Sequence, residues 1–207
     1  MKFIRTAMLA AVCALGVFSL SSFFEAGEGE ITIGQQMPMM ALDMVDVSGA
    51  EHTLRGLHKE NGLLVIFSCN TCPFVLQWED RYNDLYELCQ KNDIGMVLVN
   101  SNEAKRPGDD SMENMKAKAE SEGYKMPYIL DEDHVLADAF GARTTPHVFL
   151  FNRHAGLAYR GAIDDNGEDA SAVSEHYLMD AVKNMVANTP ISPEVTKSIG
   201  CSIKRTN

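Results

Sequence analysis

The sequence has no second cluster of metal ligands, no internal repeat and no excess of positive charge. Its six histidines, His52, His58, His134, His147, His154 and His176, are scattered, and none is paired with another at ligand spacing. A structural zinc site normally needs two close pairs of ligands, so Cys69 and Cys72 supply half of one. Lys and Arg number 18 against 29 Asp and Glu, a formal charge of −11. That balance argues against nucleic acid as a partner and leaves no polybasic patch for anionic lipid. Cysteines are few, five in 207 residues, and a chain this long can build its core without disulfide staples. One globular domain is expected.

Residues 1–24 stand apart. Lys2 and Arg5 precede an apolar stretch from Ala7 to Leu20, and no acid appears before Glu25. This is the form of a secretory signal peptide, expected over residues 1–21, with Ser19 and Ser21 as a small-x-small cleavage site. An uncleaved membrane anchor is the competing reading, although the stretch is shorter than the roughly 20 residues of a full span. The expected localisation is therefore periplasmic or extracytoplasmic, with no membrane insertion of the mature domain. Cleavage removes Lys2, Arg5 and Cys13, so the formal charge moves from −11 to −13 and Cys69, Cys72, Cys89 and Cys201 remain. In an oxidising compartment four cysteines could form two structural bridges. A gap of two residues makes a poor structural loop, and catalysis is the better use of Cys69 and Cys72.

The rest of the chain is organised around residues 63–78. Leu63 to Phe67 is a short unbroken apolar run, the pattern of a strand buried on both faces. From Val75 the apolar residues switch to helical spacing through Trp78, Tyr82, Leu85, Tyr86 and Cys89, predicting one helix to about Lys91. Cys69 and Cys72 thus fall where a buried strand turns into a helix. The unpaired N–H groups of a helix N-terminus favour a thiolate over a thiol, and Pro73 fits an early helical position because its missing N–H has no helical partner there. On this placement Cys69 lies just ahead of the helix, more exposed and with the lower pKa, and Cys72 lies in the first turn.

Around this centre the pattern predicts an edge strand near residues 31–36, then a hairpin from Met39–Val47 to His52–Leu54. A single helical turn is expected over residues 56–60. A second buried strand follows over Ile94–Asn100, parallel to the first with a right-handed crossover. Asp110 with Glu113 forms a capping box for a helix to about Glu122. A short strand at residues 127–130 and a short helix over Val135–Phe140 come next. His147–Phe151 and Leu157–Arg160 form an antiparallel hairpin, and Ser174–Asn188 a last helix. The tail from Thr189 has two prolines and no period. Cys89 and Trp78 read as core, and Asp164 and Asp165 as loop carboxylates.

Strand, Cys-x-x-Cys, helix, strand, then Thr-Pro opening a hairpin before a last helix: this order resembles a thioredoxin fold, α/β with a central mixed sheet flanked by helices, here with an N-terminal hairpin extension. More narrowly, residues 34–207 resemble the exported thioredoxin-like proteins of the alkyl-hydroperoxide-reductase and thiol-specific-antioxidant (redoxin) group. The resemblance rests on Phe67-Ser68-Cys69-Asn70-Thr71-Cys72-Pro73, on Thr145-Pro146 with Phe149 to Asn152, on Tyr159 to Asp165, and on Gly200 to Lys204. It implies that Cys69 attacks, that Cys72 resolves, and that Pro146 is cis beside them, freeing the backbone of Thr145 for an extended substrate. Relatives often have His in place of Thr71, Cys in place of Thr144 and an acid in place of His147. Thioredoxin itself has a buried acid where Leu63 stands, so the proton acceptor for Cys72 is unassigned. Cys201, His147 and Thr71 are the auxiliary candidates.

The leading functional reading is a thiol-disulfide oxidoreductase exchanging disulfides with dithiol or disulfide-containing proteins and reset by an upstream thiol reductant, with no cofactor and no metal. A thiol peroxidase is one alternative, disfavoured because such sites present Thr three residues before the reactive cysteine, where this chain has Cys69. The other is a copper chaperone using Cys69 and Cys72 with His147 or His134.

Overall fold

The computed structural model describes residues 29–206. The signal peptide expected over residues 1–21 lies outside them. In chain order the elements are β1 (Met44–Val45), β2 (Glu51–His52), α1 (Leu54–Leu57), β3 (Gly62–Ser68), α2 (Pro73–Trp78), α3 (Tyr82–Lys91), β4 (Ile94–Asn100), α4 (Met112–Glu122) and β5 (Tyr128–Leu130). They continue with α5 (Val135–Phe140), β6 (Thr144–Thr145), β7 (His147–Asn152), β8 (Leu157–Gly161), α6 (Tyr177–Val186) and β9 (Cys201–Ser202).

Five strands form the central sheet in the order β5-β4-β3-β7-β8. β4 runs parallel to both β3 and β5, whereas β7 is antiparallel to β3 and to β8. This mixed sheet between helices is the thioredoxin fold. The unbroken apolar run of β3 follows from burial on both faces, because alternate side chains enter different cores. Leu63, Val65 and Phe67 pack with Val97, Val99, Phe149 and Phe151 against α5. Leu64 and Ile66 pack with Val148 and Leu150 against Tyr82 and Leu85 of α3 and Leu178 and Val182 of α6. β1 and β2 make the N-terminal hairpin as a separate small sheet.

Four local expectations are corrected. Residues 31–36 form no strand: Gly34 turns the chain at φ +82°, and only Gln36 makes an isolated bridge, to Gly156. The single helical turn comes earlier than expected, over Leu54–Leu57, where the Thr53 side chain caps it by accepting from the Gly56 N–H. The helix after the cysteines is broken by a 3-10 turn at Glu79–Arg81. There the Arg81 guanidinium takes the carbonyl of Gln77 at 2.7 Å, and Trp78 is drawn to Asp164 by an Nε1–H···Oδ1 bond of 2.6 Å. Finally, α6 starts at Tyr177 rather than Ser174, because the Asp165 carboxylate accepts from the N–H groups of Ser174 and Glu175.

Candidate active site

β3 ends at Ser68 and delivers Cys69 to the edge of the core, 2% exposed. Asn70 and Thr71 span the gap, and Cys72 becomes the N-cap of α2, with extended backbone (φ −67°, ψ 124°) and Pro73 as the first helical residue. Cys72 therefore precedes the first turn, one step earlier than the spacing predicts. It is also the more exposed of the pair, at 5%. Both are free thiols, as are Cys89 and Cys201. Cys89 is buried on α3, where burial pushes its thiol up to about 12, a core residue as expected.

Thr145 sits between the two sulfurs. Its Oγ1 lies 3.2 Å from Cys69 Sγ, and its carbonyl oxygen lies 3.2 Å from Cys72 Sγ. The peptide bond from Thr145 to Pro146 is cis. The backbone of Thr145 is not free for an extended substrate, which corrects a consequence drawn from the resemblance. Its strand, β6, already pairs antiparallel with β9, setting Thr145 opposite Cys201 and Thr144 opposite Ser202. The tail that has no sequence period is thus part of the site. Gly200 permits this closeness, since a Cβ there would run into the Thr145 carbonyl.

Cys201 is half-buried and joins Cys69, Cys72, Phe74 and Val75 in one small cluster. A cleft of about 120 Å³ opens on the three cysteines, with Thr71, Pro73, Lys105 and Lys204 at its mouth. Thr71 is exposed there.

The groups around the two sulfurs favour the opposite order of acidity to the one the spacing predicts. Two adjacent thiols share one readily lost proton, and the negative charge settles where donors are densest. Cys72 receives the Cys69 thiol first, then the Cys201 thiol and the N–H groups of Val75 and Cys201, which together hold it down to about 4 against the opposing effect of burial. Cys69 is pushed up by its hydrogen bond to Cys72 and by burial, with the Asp110 carboxylate adding repulsion. The Thr145 carbonyl works against this order, because it accepts from a Cys72 thiol but repels a thiolate. Cys69 also has donors, the Thr145 hydroxyl and the Cys72 N–H, and it is the Asp110 carboxylate on its side that favours charge on Cys72.

Asp110 was expected to cap α4. Instead Ser111 is the N-cap, accepting from the Asn114 N–H at 3.2 Å, and Asp110 is turned inward with 0% exposure. Its Oδ1 accepts from the Asn70 N–H and from Asn100 Nδ2, both at 2.8 Å, and its Oδ2 from Asn102 Nδ2 at 2.9 Å. The side chain of Asn70 completes the ring, donating to the Asp109 carbonyl and accepting from the Tyr128 hydroxyl. A buried acid therefore does stand behind the cysteines, supplied by the segment after β4 instead of by β3. The signal for it in the sequence is the polar Asn100-Ser101-Asn102 at the end of an apolar strand, which implies a buried polar partner.

His147 follows Pro146 but belongs to the core. It is 1% exposed, its ring lies 4.5 Å from that of Phe149, and its Nδ1 accepts from the Arg143 N–H. Burial, helped by the charge of Arg143, lowers it to about 4 and keeps it neutral at physiological pH. His134 is engaged with Asp138 and the Thr206 carbonyl. Among the described residues no three His, Cys, Asp or Glu are grouped to hold a metal ion, and neither His134 nor His147 lines the cleft with the cysteines. Among the described residues, too, no helix is long and apolar enough to cross a membrane.

Comparison with known proteins gives concordant results. The Redoxin family matches residues 32–176. Thiol-disulfide oxidoreductase ResA of Geobacillus thermodenitrificans is 25% identical over 147 residues, 71% of this chain and 78% of the relative. Thiol-disulfide oxidoreductase YkuV of Bacillus subtilis is 27% identical over 132 residues, 60% of this chain and 82% of the relative. A crystal structure from Geobacillus kaustophilus, of an uncharacterised protein, superimposes with a TM-score of 0.78 at 31% identity, covering 84% of this chain and 93% of that one. With the match spanning the sheet, both cysteines and the cis-proline strand, the chain belongs to the Redoxin family.

Proposed function

We propose that this protein is an exported thiol-disulfide oxidoreductase whose redox centre is the Cys69–Cys72 dithiol, working on disulfide-containing partner proteins. The observation that carries the reading is a pair of free thiols at the N-terminus of α2, with Thr145, the residue before the cis-proline, within 3.2 Å of both sulfurs. The names of the ResA and YkuV relatives support the same class of reaction.

In the proposed cycle the Cys72 thiolate attacks one sulfur of a partner disulfide and the other partner sulfur leaves as a thiolate. Cys69 then attacks Cys72 Sγ, releasing the second partner sulfur and closing the Cys69–Cys72 bridge. Two electrons pass from the dithiol to the partner, and an upstream dithiol reductant restores them. This order inverts the roles implied by the family resemblance; the donors around Cys72 and the Asp110 carboxylate beside Cys69 support it. Asp110 acts as a positioning residue that holds the Asn70 N–H and so fixes the loop between the two sulfurs.

Trapping decides both the reaction and the order of attack. With Cys201 replaced by Ala in both, Cys69→Ser should accumulate reductant-sensitive covalent partners on Cys72, and Cys72→Ser should accumulate few. The opposite pattern would restore Cys69 as the attacking thiol. If neither variant traps a protein while the wild type consumes hydrogen peroxide rapidly, the peroxidase reading replaces this one.

A further inference from the structure

We infer that Cys201 is a third exchanging thiol, the port through which the oxidised protein is reduced, by way of a Cys72–Cys201 disulfide. The inference rests on the dithiol reading above and adds to it a residue, a second disulfide and a direction of electron entry. Three observations carry it. Cys69, Cys72 and Cys201 share one small cluster and line one cleft, and Cys72 Sγ lies 3.2 Å from the carbonyl of Thr145, the residue paired with Cys201. Cys201 is placed there by strand pairing with Thr145, the residue before the cis-proline, with Gly200 seated on the Thr145 carbonyl. The strand is also fixed beyond the cysteine. Ile203 is 5% exposed in the core and donates its N–H to the Arg143 carbonyl, Lys204 donates its N–H to Asn102 Oδ1 and accepts from the Ala104 N–H, and Arg205 binds Asp138 at 2.7 Å. The third thiol is thus built into the site and is no loose terminal cysteine.

The chemistry balances without a further oxidant. In the oxidised protein the Cys201 thiolate attacks Cys72 Sγ, the Cys72–Cys201 bond forms and the Cys69–Cys72 bond breaks. Cys69 leaves with the electron pair and takes up the proton that Cys201 gave away. An external dithiol then attacks Cys201, the most exposed of the three sulfurs, and Cys72 leaves as its stabilised thiolate. The second thiol of the reductant frees Cys201 and becomes oxidised. A leaving thiol of low pKa departs fastest, so attack at Cys201 with Cys72 leaving is the favoured reduction. Burial and the neighbouring Cys72 push the Cys201 thiol up, so the internal exchange should accelerate as pH rises.

The test uses glutathione disulfide as oxidant and dithiothreitol as reductant on the full-length mature chain, with acid quenching, alkylation and peptide mapping. Cys69→Ser should close a Cys72–Cys201 bridge, and oxidised wild type should be a mixture of molecules bridged Cys69–Cys72 and molecules bridged Cys72–Cys201. Cys72→Ser should close none and carry glutathione adducts. Oxidised Cys201→Ala should be reduced by dithiothreitol about tenfold more slowly than wild type. Accumulation of a Cys72–glutathione adduct in Cys69→Ser with Cys201 free, or equal reduction rates for wild type and Cys201→Ala, overturns the inference. In those cases a wild type that still reduces protein disulfides and forms Cys69–Cys72 leaves the proposed function standing. A wild type that forms no bridge and reduces no disulfide defeats both.

Discussion

Replacing Asp110 tests whether the buried carboxylate organises the loop that carries the cysteines. In Asp110→Ala three donors, the Asn70 N–H and the amides of Asn100 and Asn102, lose their acceptor in a site that water does not reach. Each orphaned donor costs about 1–3 kcal/mol, softened by local relaxation, so a total of about 3–5 kcal/mol is expected. Asp110→Asn keeps the shape and can still serve Asn70 and Asn100 with its single oxygen. Its amide then faces the amide of Asn102, donor against donor, which costs about 1–3 kcal/mol. With a urea m-value near 2 kcal/mol/M, the midpoint of the reduced protein should fall by about 0.5–1.5 M for Asn and about 1.5–2.5 M for Ala. Ser111→Ala is the control, since losing an N-cap typically costs about 1 kcal/mol. Should Asp110→Ala cost no more than the Ser111 control, Asp110 is merely part of a helix start and the argument fails. The Asn variant carries a second readout: loss of the negative charge should lower the Cys69 pKa, seen as faster alkylation of Cys69 at a given pH.

Alkylation of the reduced protein near pH 6 should modify Cys72 ahead of Cys69 and Cys89, with a rate that stays flat on acidification until about pH 4, where Cys72 takes up its proton; preferential labelling of Cys69 would reverse the assignment. His147 has its folded pKa lowered to about 4 from an unfolded value near 6.5, so its contribution is full above pH 6.5 and is lost as pH falls toward 4, up to about 3 kcal/mol. His147→Gln should flatten acid unfolding across that window, and an unchanged pH profile would show that the ring is not buried neutral. Gly200→Val should push the tail off β6, raising the alkylation rate of Cys201 severalfold while leaving Cys89 protected; unchanged Cys201 reactivity would mean that the strand pairing does not hold it.

What the sequence made legible follows from local rules. The run Leu63–Phe67 reads as a doubly buried strand because nothing but burial on both faces tolerates it, and β4, α5 and the β7–β8 hairpin follow from pattern and turn residues in the same way. The break at Glu79–Arg81 was not legible, because it is made by side chains reaching Gln77, Asp164 and Asn166, two of them more than 80 residues away. Asp110 reads as a cap because an acid ahead of a helix fits one, and only the tertiary fold brings Asn70, Asn100 and Asn102 around it. The pairing of Cys201 with Thr145 was likewise hidden, since a two-residue strand has no period to detect. The Cys-x-x-Cys itself was plain, but its acidity order depends on Cys201 and Asp110, neither of which the local pattern can place.

The bond from Trp78 to Asp164 has a practical use. This is the only tryptophan in the chain, it is buried, and it lies in the short helix that Cys72 caps. Six residues at 1.5 Å per residue set its backbone roughly 9 Å along the axis from that of Cys72. All the indole emission therefore originates from one fixed point beside the redox centre, in a polarity set by a single buried carboxylate. Converting a thiolate to a disulfide at that range changes both the local field and the nearest quencher, so the protein carries its own optical gauge of redox state. Stopped-flow fluorescence of the unmodified chain can then time each exchange step without a dye.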